Sequence, residues 1–198
     1  MTGETSSRPT SEVLGAYDPR ITWAACDVAL RFQLSEVILG WSQVSRVTDF
    51  VAAYLRWVLQ GRREFNLARP AILELRDTVL YGANELFENA VKFQGGGSVG
   101  LGLLAEPDRI HLLVHNQLAA DRVDELRAQL SEIVHGDAER LFVERVERNA
   151  DDAQSTASGL GLLSLINDYG MRLGWCLDRD EQGHQLYTMA AVDLKHPD

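Results

Sequence analysis

Cysteine, positive charge and long apolar runs are all scarce in this chain. The two cysteines among 198 residues, Cys26 and Cys176, lie far apart, each in an apolar stretch. They are expected as buried free thiols in a reducing cytoplasm. No CxxC or Cys/His cluster occurs, which argues against a structural zinc site. Nineteen Lys and Arg stand against twenty-nine Asp and Glu, a formal charge of −10. Without a basic stripe to neutralise phosphates, nucleic acid is not an expected partner; a protein with a neutral or basic contact face fits better. No apolar run approaches the ~20 residues of a membrane span, so no membrane association is expected. The sequence also lacks G-x-S-x-G, H-E-x-x-H and G-x-x-x-x-G-K-[ST], which removes the common hydrolase, zinc-protease and P-loop readings.

What remains is 45% hydrophobic and 24% charged, enough for one domain that buries roughly 70% of its unfolded surface. The polar Met1–Pro9 stretch has no apolar signal core. It reads as the head of a disordered tail over residues 1–19, with a single domain over 20–198. Val28, Leu30, Phe32 and Leu34 alternate with small or polar neighbours, and Val37, Leu39 and Trp41 repeat the pattern, which predicts two strands. Ser45 or Thr48 is placed to cap a helix with Phe50, Tyr54, Trp57 and Val58 on its apolar side and Gly61 at its end; a polar loop follows over Arg62–Asn66. Pro70 suits the first turn of a long helix to about Phe93, whose apolar stripe is Ile72, Leu75, Val79, Ala83, Leu86 and Ala90. Gly95–Gly97 stop it. A hairpin follows, with Val99, Leu101 and Leu103 on one strand and Ile110, Leu112 and Val114 on the other, turning at Glu106–Asp108. Two helices are expected next, one marked by Val123, Leu126, Leu130 and Ile133, the other by Leu141, Phe142 and Val146 with Asp137 as its cap. Asn149–Ser158 is polar and aperiodic and reads as a mobile loop. A short helix over Leu160–Tyr169 and strands near Leu173–Leu177 and Leu186–Val192 complete the chain. This order predicts an α+β two-layer sandwich, a mostly antiparallel sheet covered on one face by helices.

Two polar features stand out. At ~100° per residue, Glu85, Asn89 and Lys92 share one face of the long helix, turned away from its apolar stripe. They read either as a solvated polar ladder or as chemistry. In the second reading Asn89 offers an oxygen to a phosphate-bridging divalent cation, Glu85 orients or deprotonates a hydroxyl, and Lys92 neutralises phosphate charge. The second feature is Ser158-Gly159-Leu160-Gly161, which opens a helix, where backbone N–H groups and the helix dipole suit an anion. A flexible entry to a buried helix explains it equally well. Gly95–Gly102 has the wrong order of elements for a dinucleotide fingerprint and reads as a helix stop, a turn and a strand with small faces. His111 and His115 fall about 13 Å apart on a strand at ~3.3 Å per residue. That is a poor metal pair, and they are expected as surface or edge histidines.

Taken together and in this order, the two features carry a resemblance. Asn84-Glu85-Leu86-Phe87-Glu88-Asn89-Ala90-Val91-Lys92-Phe93 resembles the N box of the GHKL superfamily, the histidine-kinase-like and gyrase-like ATPases. Ser158-Gly159-Leu160-Gly161-Leu162 resembles its G2 box, with Asn149–Ala157 as the ATP lid. The resemblance spans roughly Glu36 to Val192 and is closest to small stand-alone bacterial regulators of the anti-sigma and SiaB-like kinase type. It implies the histidine-kinase-like ATPase fold, with Asn89 on a Mg²⁺ ion carrying ATP phosphates and Glu85 as catalytic base. It further implies nucleotide contacts from Lys92, Asn116, Ser158, Gly159, Leu160 and Gly161. The family's Asp-x-Gly-x-Gly box is replaced by His115-Asn116-Gln117-Leu118-Ala119-Ala120; Asn116 retains an acceptor oxygen, but both glycines are missing. The implied function is a cytoplasmic signalling regulator that works by switching protein partners, an antagonist-like or sigma-factor-like protein among them, with weakened nucleotide binding. The alternative is an active Mg·ATP-dependent serine/threonine kinase of the anti-sigma type. A homodimer is compatible with either.

Overall fold

Pro70 in its first turn, a continuous apolar stripe and Phe93 as its C-cap define the central element, a helix over Arg69–Lys92 (α2). All six stripe residues are buried, joined by Gly82 and Phe87. In a computed structural model, residues 11–33, 41–65, 67–151 and 160–194 are described. Six strands form one antiparallel sheet: β1 (Glu12–Gly15), β2 (Val28–Gln33), β3 (Gln94–Glu106), β4 (Arg109–Leu118), β5 (Arg172–Asp180) and β6 (Gly183–Asp193), in the spatial order β1-β5-β6-β4-β3-β2. With α1 (Trp41–Gly61), α3 (Val123–His135), α4 (Ala138–Asp151) and α5 (Leu160–Asn167), the chain is the α+β two-layer sandwich its pattern predicts.

Period-two alternation sorts the sheet into two faces. Leu101, Leu103, Ile110, Leu112, Val114, Leu173, Trp175, Leu177, Leu186 and Ala190 point at the helices and merge with α1, α2, α3 and α5 into one core. The opposite face carries Arg31, Gly100, His115, Tyr187 and Cys176 in one cross-strand row. A strap over residues 16–27 crosses this far face. It is pinned by Ala16 N–H to Leu173 O (2.8 Å) and by a tight approach to Gly174, where a β-carbon would strike the backbone of Ala16 and Tyr17. Asp27 secures its end by accepting from Ala105 N–H (2.8 Å) and pairing with Arg62.

Several expectations give way here. The tail does not reach residue 19: Glu12–Gly15 pairs with Gly174–Leu177 as the edge strand β1, while residues 1–10 lie outside the described set. Trp41 opens α1 rather than closing a strand; Val37 and Leu39 fall outside the described residues. Ser45 and Thr48 therefore sit inside α1, not at its cap. Thr48 is buried and its hydroxyl donates to Asn84 Oδ1 on α2 (2.5 Å), so the helix pair is joined by a polar contact. The inward face of α1 is Val44, Val51, Leu55 and Val58, whereas Phe50 and Trp57 face solvent. The segment over Arg62–Asn66 is not wholly polar loop, because Phe65 is fully buried in a 3₁₀ turn. Asn149–Asp151 continue α4; the rest of the expected loop, residues 152–158, is outside the described residues. His111 and His115 are buried rather than at the surface or an edge, since β4 is flanked by β3 and β6 and its far face lies under the strap.

Candidate functional site

The long helix and the sheet enclose a small cavity. Asn89, Ala90 and Phe93 of α2 form one wall, Asn116 and Thr188 the sheet side, and Leu162 of α5 and Arg145 of α4 part of the rest. The sequence thus brings Asn89 and Asn116 to one hollow, as the N-box reading requires. The hollow measures about 50 Å³. A water needs ~10–15 Å³ on this scale, and pockets for organic ligands run to ~300–1,000 Å³. It therefore holds a few waters and not a purine. Trp175, Leu130 and Ile133 fill the space beside it. Arg145 closes it with a side chain only 11% exposed, donating to Glu132 Oε2 at 2.8 Å.

Asn116 is buried, and its amide donates weakly to Gln117 O (3.4 Å). Leu118, at a position that the family's box gives to glycine, is buried in the core. Among the described residues no group of three or more His, Cys, Asp or Glu gathers to hold a metal ion. The roughly 50 Å³ beside Asn116 and the buried Leu118 leave no space for a base in this arrangement.

Glu85 sits one turn before Asn89 but outside that cavity. It abuts the first turn of α5: a β-carbon on Gly161 would collide with the Glu85 carboxylate. Any larger residue at 161 would make the Glu85 side chain move aside. Burial pushes the Glu85 carboxyl above its ordinary range, partly offset by the hydrogen bond that it accepts from the Tyr81 hydroxyl. Tyr81 also accepts from Ser164 of α5 and stacks on Tyr169 with ring centroids 4.5 Å apart. Glu88 is pushed up as well, by burial and then by the neighbouring Glu85 charge. Together these contacts tie α2 to α5 through an acid and a phenol.

The other predicted residues scatter. Lys92 is exposed, lies over the Phe93 ring (5.2 Å) and borders an adjoining cavity of about 200 Å³ that shares Phe93, Leu126 and Gln129 with the first and adds Leu118, Arg122 and Glu125. Leu160 is half-buried at the start of α5, while Ser158 and Gly159 lie outside the described residues. Sequence reasoning missed Tyr81, Ser164 and Arg145, each with a faint signal. Tyr81 is one turn before Glu85, Ser164 interrupts the apolar run of α5, and Arg145 falls on the inward side of α4 beside Leu141.

No protein-family model matches this chain, and no curated protein matches it either.

Proposed function

We propose that this protein is a signalling regulator on a histidine-kinase-like ATPase framework, acting by switching protein partners, with nucleotide binding weakened or lost. The observation that carries this reading is a pair of exposed aromatics on α1, Phe50 and Trp57, beside the half-buried Tyr54, whose hydroxyl donates to Asp27 O (3.2 Å). Phe50, Tyr54 and Trp57 follow one another at helical spacing; Phe50 is 52% and Trp57 69% exposed. Tyr54 and Trp57 pack together with ring centroids 5.8 Å apart. Large aromatics on a rigid helix, costing little entropy to immobilise, are the residue type that dominates protein interfaces. A solvated helix gains nothing from displaying them. The occupant is a regulatory protein offering an apolar groove. The constricted hollow between Asn89 and Asn116 weighs in the same direction, because a working kinase of this type needs space for a base. Two free thiols, Cys26 and Cys176, suit a reducing cytoplasmic setting.

A second reading, an active Mg·ATP-dependent serine/threonine kinase, is favoured by one observation: Glu85 lies against Gly161, as a catalytic base beside the phosphate-binding helix end would. One pair of measurements separates the two. Ligand at a hundred times Kd stabilises by ~2.7 kcal/mol; millimolar Mg·ATP is expected to leave the melting temperature unchanged. A photo-crosslinker at Ala53, exposed beside Phe50 and Trp57 on α1, is expected to give one discrete protein adduct in cells, and the same group at Glu144 none. A Mg·ATP-dependent stabilisation that Asn89→Ala abolishes, with phosphate transfer lost in Glu85→Ala, would instead establish the kinase.

A further inference from the structure

The largest cavity described is not beside the N-box helix but on the far face of the sheet. It measures about 410 Å³ and is bordered by Trp23, Arg31, Gly100, His115, Asp180 and Tyr187 among others, within the range of organic-ligand sites. Its floor follows from register. Arg31, Gly100, His115 and Tyr187 are successive partners across β2, β3, β4 and β6. Gly100 and Gly102 leave the space that the Trp23 indole occupies; a β-carbon on Gly100 would come within 2.8 Å of it. The rings then form a continuous wall. Trp23 meets His115 edge-on at 6.5 Å, and His115 meets Tyr187 at 4.8 Å, tilted by 34°.

The polar groups are ordered by a chain of hydrogen bonds. Asp180 Oδ1 accepts from Gln185 Nε2 (3.1 Å) and from Gln182 N–H (2.8 Å). That fixes the Gln185 amide so that its Oε1 accepts from His115 Nε2 (2.9 Å). The His115 ring therefore carries its proton on Nε2 and keeps Nδ1 as an acceptor; burial, holding the imidazole below its usual range, agrees with the neutral form. Arg31 is the cation of the cavity. Its Nε donates to Ser98 Oγ (2.9 Å), which sets the plane of the guanidinium. Among the described residues no carboxylate lies within ion-pair distance of it. On a chain of net charge −10, an arginine left out of any ion pair at the mouth of an aromatic cavity is conspicuous; Asp180, the one acid among the described residues bordering the cavity, spends its Oδ1 on Gln185 and Gln182 N–H.

We infer that this far-face cavity binds a small planar aromatic carboxylate, its ring against Trp23, His115 and Tyr187 and its carboxylate on the Arg31 fork. Aromatic faces favour a flat apolar body. The guanidinium matches a carboxylate bidentately. The volume suits an acid of one or two rings. The site is separated by the sheet from the Asn89 hollow and does not depend on the proposed partner role.

Isothermal titration of the full chain with indole-3-carboxylate and benzoate, each against its neutral carboxamide, tests this. At least one acid is expected to bind at a single site, with the amide weaker by about tenfold or more, the ~1.4 kcal/mol scale of one charge-assisted contact. Arg31→Ala is expected to cost the acid a similar factor without changing the amide, and Trp23→Ala to weaken both. A melting curve for each variant confirms folding. In the wild type, ring-current shifts at the His115 and Trp23 ring protons give a readout that needs no variant. The inference is overturned if neither acid binds at millimolar concentration, if acid and amide bind alike, or if the shifts map to the helix side of the sheet.

Discussion

The two faces of the sheet are built from the same strands and hold opposite contents. Toward the helices, alternate residues are aliphatic, the packing is tight and the hollow under Asn116 is about 50 Å³. On the other side lie glycines, histidines, a tyrosine and an arginine, a strap stands in for a helical layer, and the open space is about 410 Å³. The face carrying Asn89 has the smaller openings, about 50 and 200 Å³. Motif residues and available volume are separate properties. Here Glu85 packs against the first turn of α5, whereas the larger far-face cavity carries no motif.

The contrast can be broken by mutation. Phe87 is fully buried on the helix side, against Phe32 at 5.8 Å; Phe87→Ala is expected to cost ~3–5 kcal/mol in urea denaturation. Gly174→Val forces the strap backbone away from β5 and is expected to cost ~1–3 kcal/mol, with the largest hydrogen-exchange increase at Ala16 and Tyr17. Trp23→Ala removes a half-buried ring and should cost less than Phe87→Ala, ~1–2 kcal/mol. Equal losses for those two would mean that the far face is core and not a site.

Acid should act on the far face too. Burial holds the His111 and His115 imidazoles below their ordinary range. As the pH falls through ~6.5, the unfolded chain takes up these protons first. The histidine contribution is thus full above that pH and lost as the pH drops through the folded-state values. Glu85 and Glu88, pushed up by burial, act in the opposite sense, their share present at low pH and lost as pH rises. His115→Gln is therefore expected to flatten the acid limb of the melting temperature relative to wild type. An unchanged limb would assign the slope to other groups. The smallest effect belongs to the outer face of α1: Trp57→Ser should change stability by no more than ~0.5 kcal/mol while removing the crosslinked partner.

The sandwich was legible where local pattern and tertiary role agree. The stripe from Ile72 to Ala90, the β3–β4 hairpin and the Asp137 cap, whose carboxylate accepts from Arg140 N–H at 2.9 Å, all follow from spacing alone. Legibility failed where chemistry and position diverge. Four residues, Glu12–Gly15, are too few to display a period, so β1 hid in an apparent tail. On α1 the bulkiest apolar side chains, Phe50 and Trp57, point outward, which inverted the assignment of its faces. His111 and His115 look like surface residues until the sheet order places β4 between two neighbours, and their burial is offset by single hydrogen bonds to Glu106 and Gln185 (2.9 Å each). At the candidate site, helical spacing puts Asn89 one turn beyond Glu85, but no pattern could report the size of the hollow it lines, which Arg145 and Trp175 border from distant segments. Trp23 left only an indirect trace, the small residues Gly100 and Gly102 that make room for it.

Consecutive strands β1 and β2 stand at opposite edges of the sheet, so the strap spans all the strands between, roughly 24 Å at ~4.8 Å per gap. Its dozen residues reach ~40 Å at full stretch, enough for the crossing with a 3₁₀ turn at Trp23–Ala25 on the way. The belt has nothing to lie on until β3, β4, β6 and β5 have assembled, and pairing Gly15 with Gly174 closes nearly the entire chain into a loop. Such distant contacts are made late, after shorter closures have been rewarded. The amino-terminal segment is thus the last to fasten during folding and the first to peel away under load, and it carries Trp23 with it.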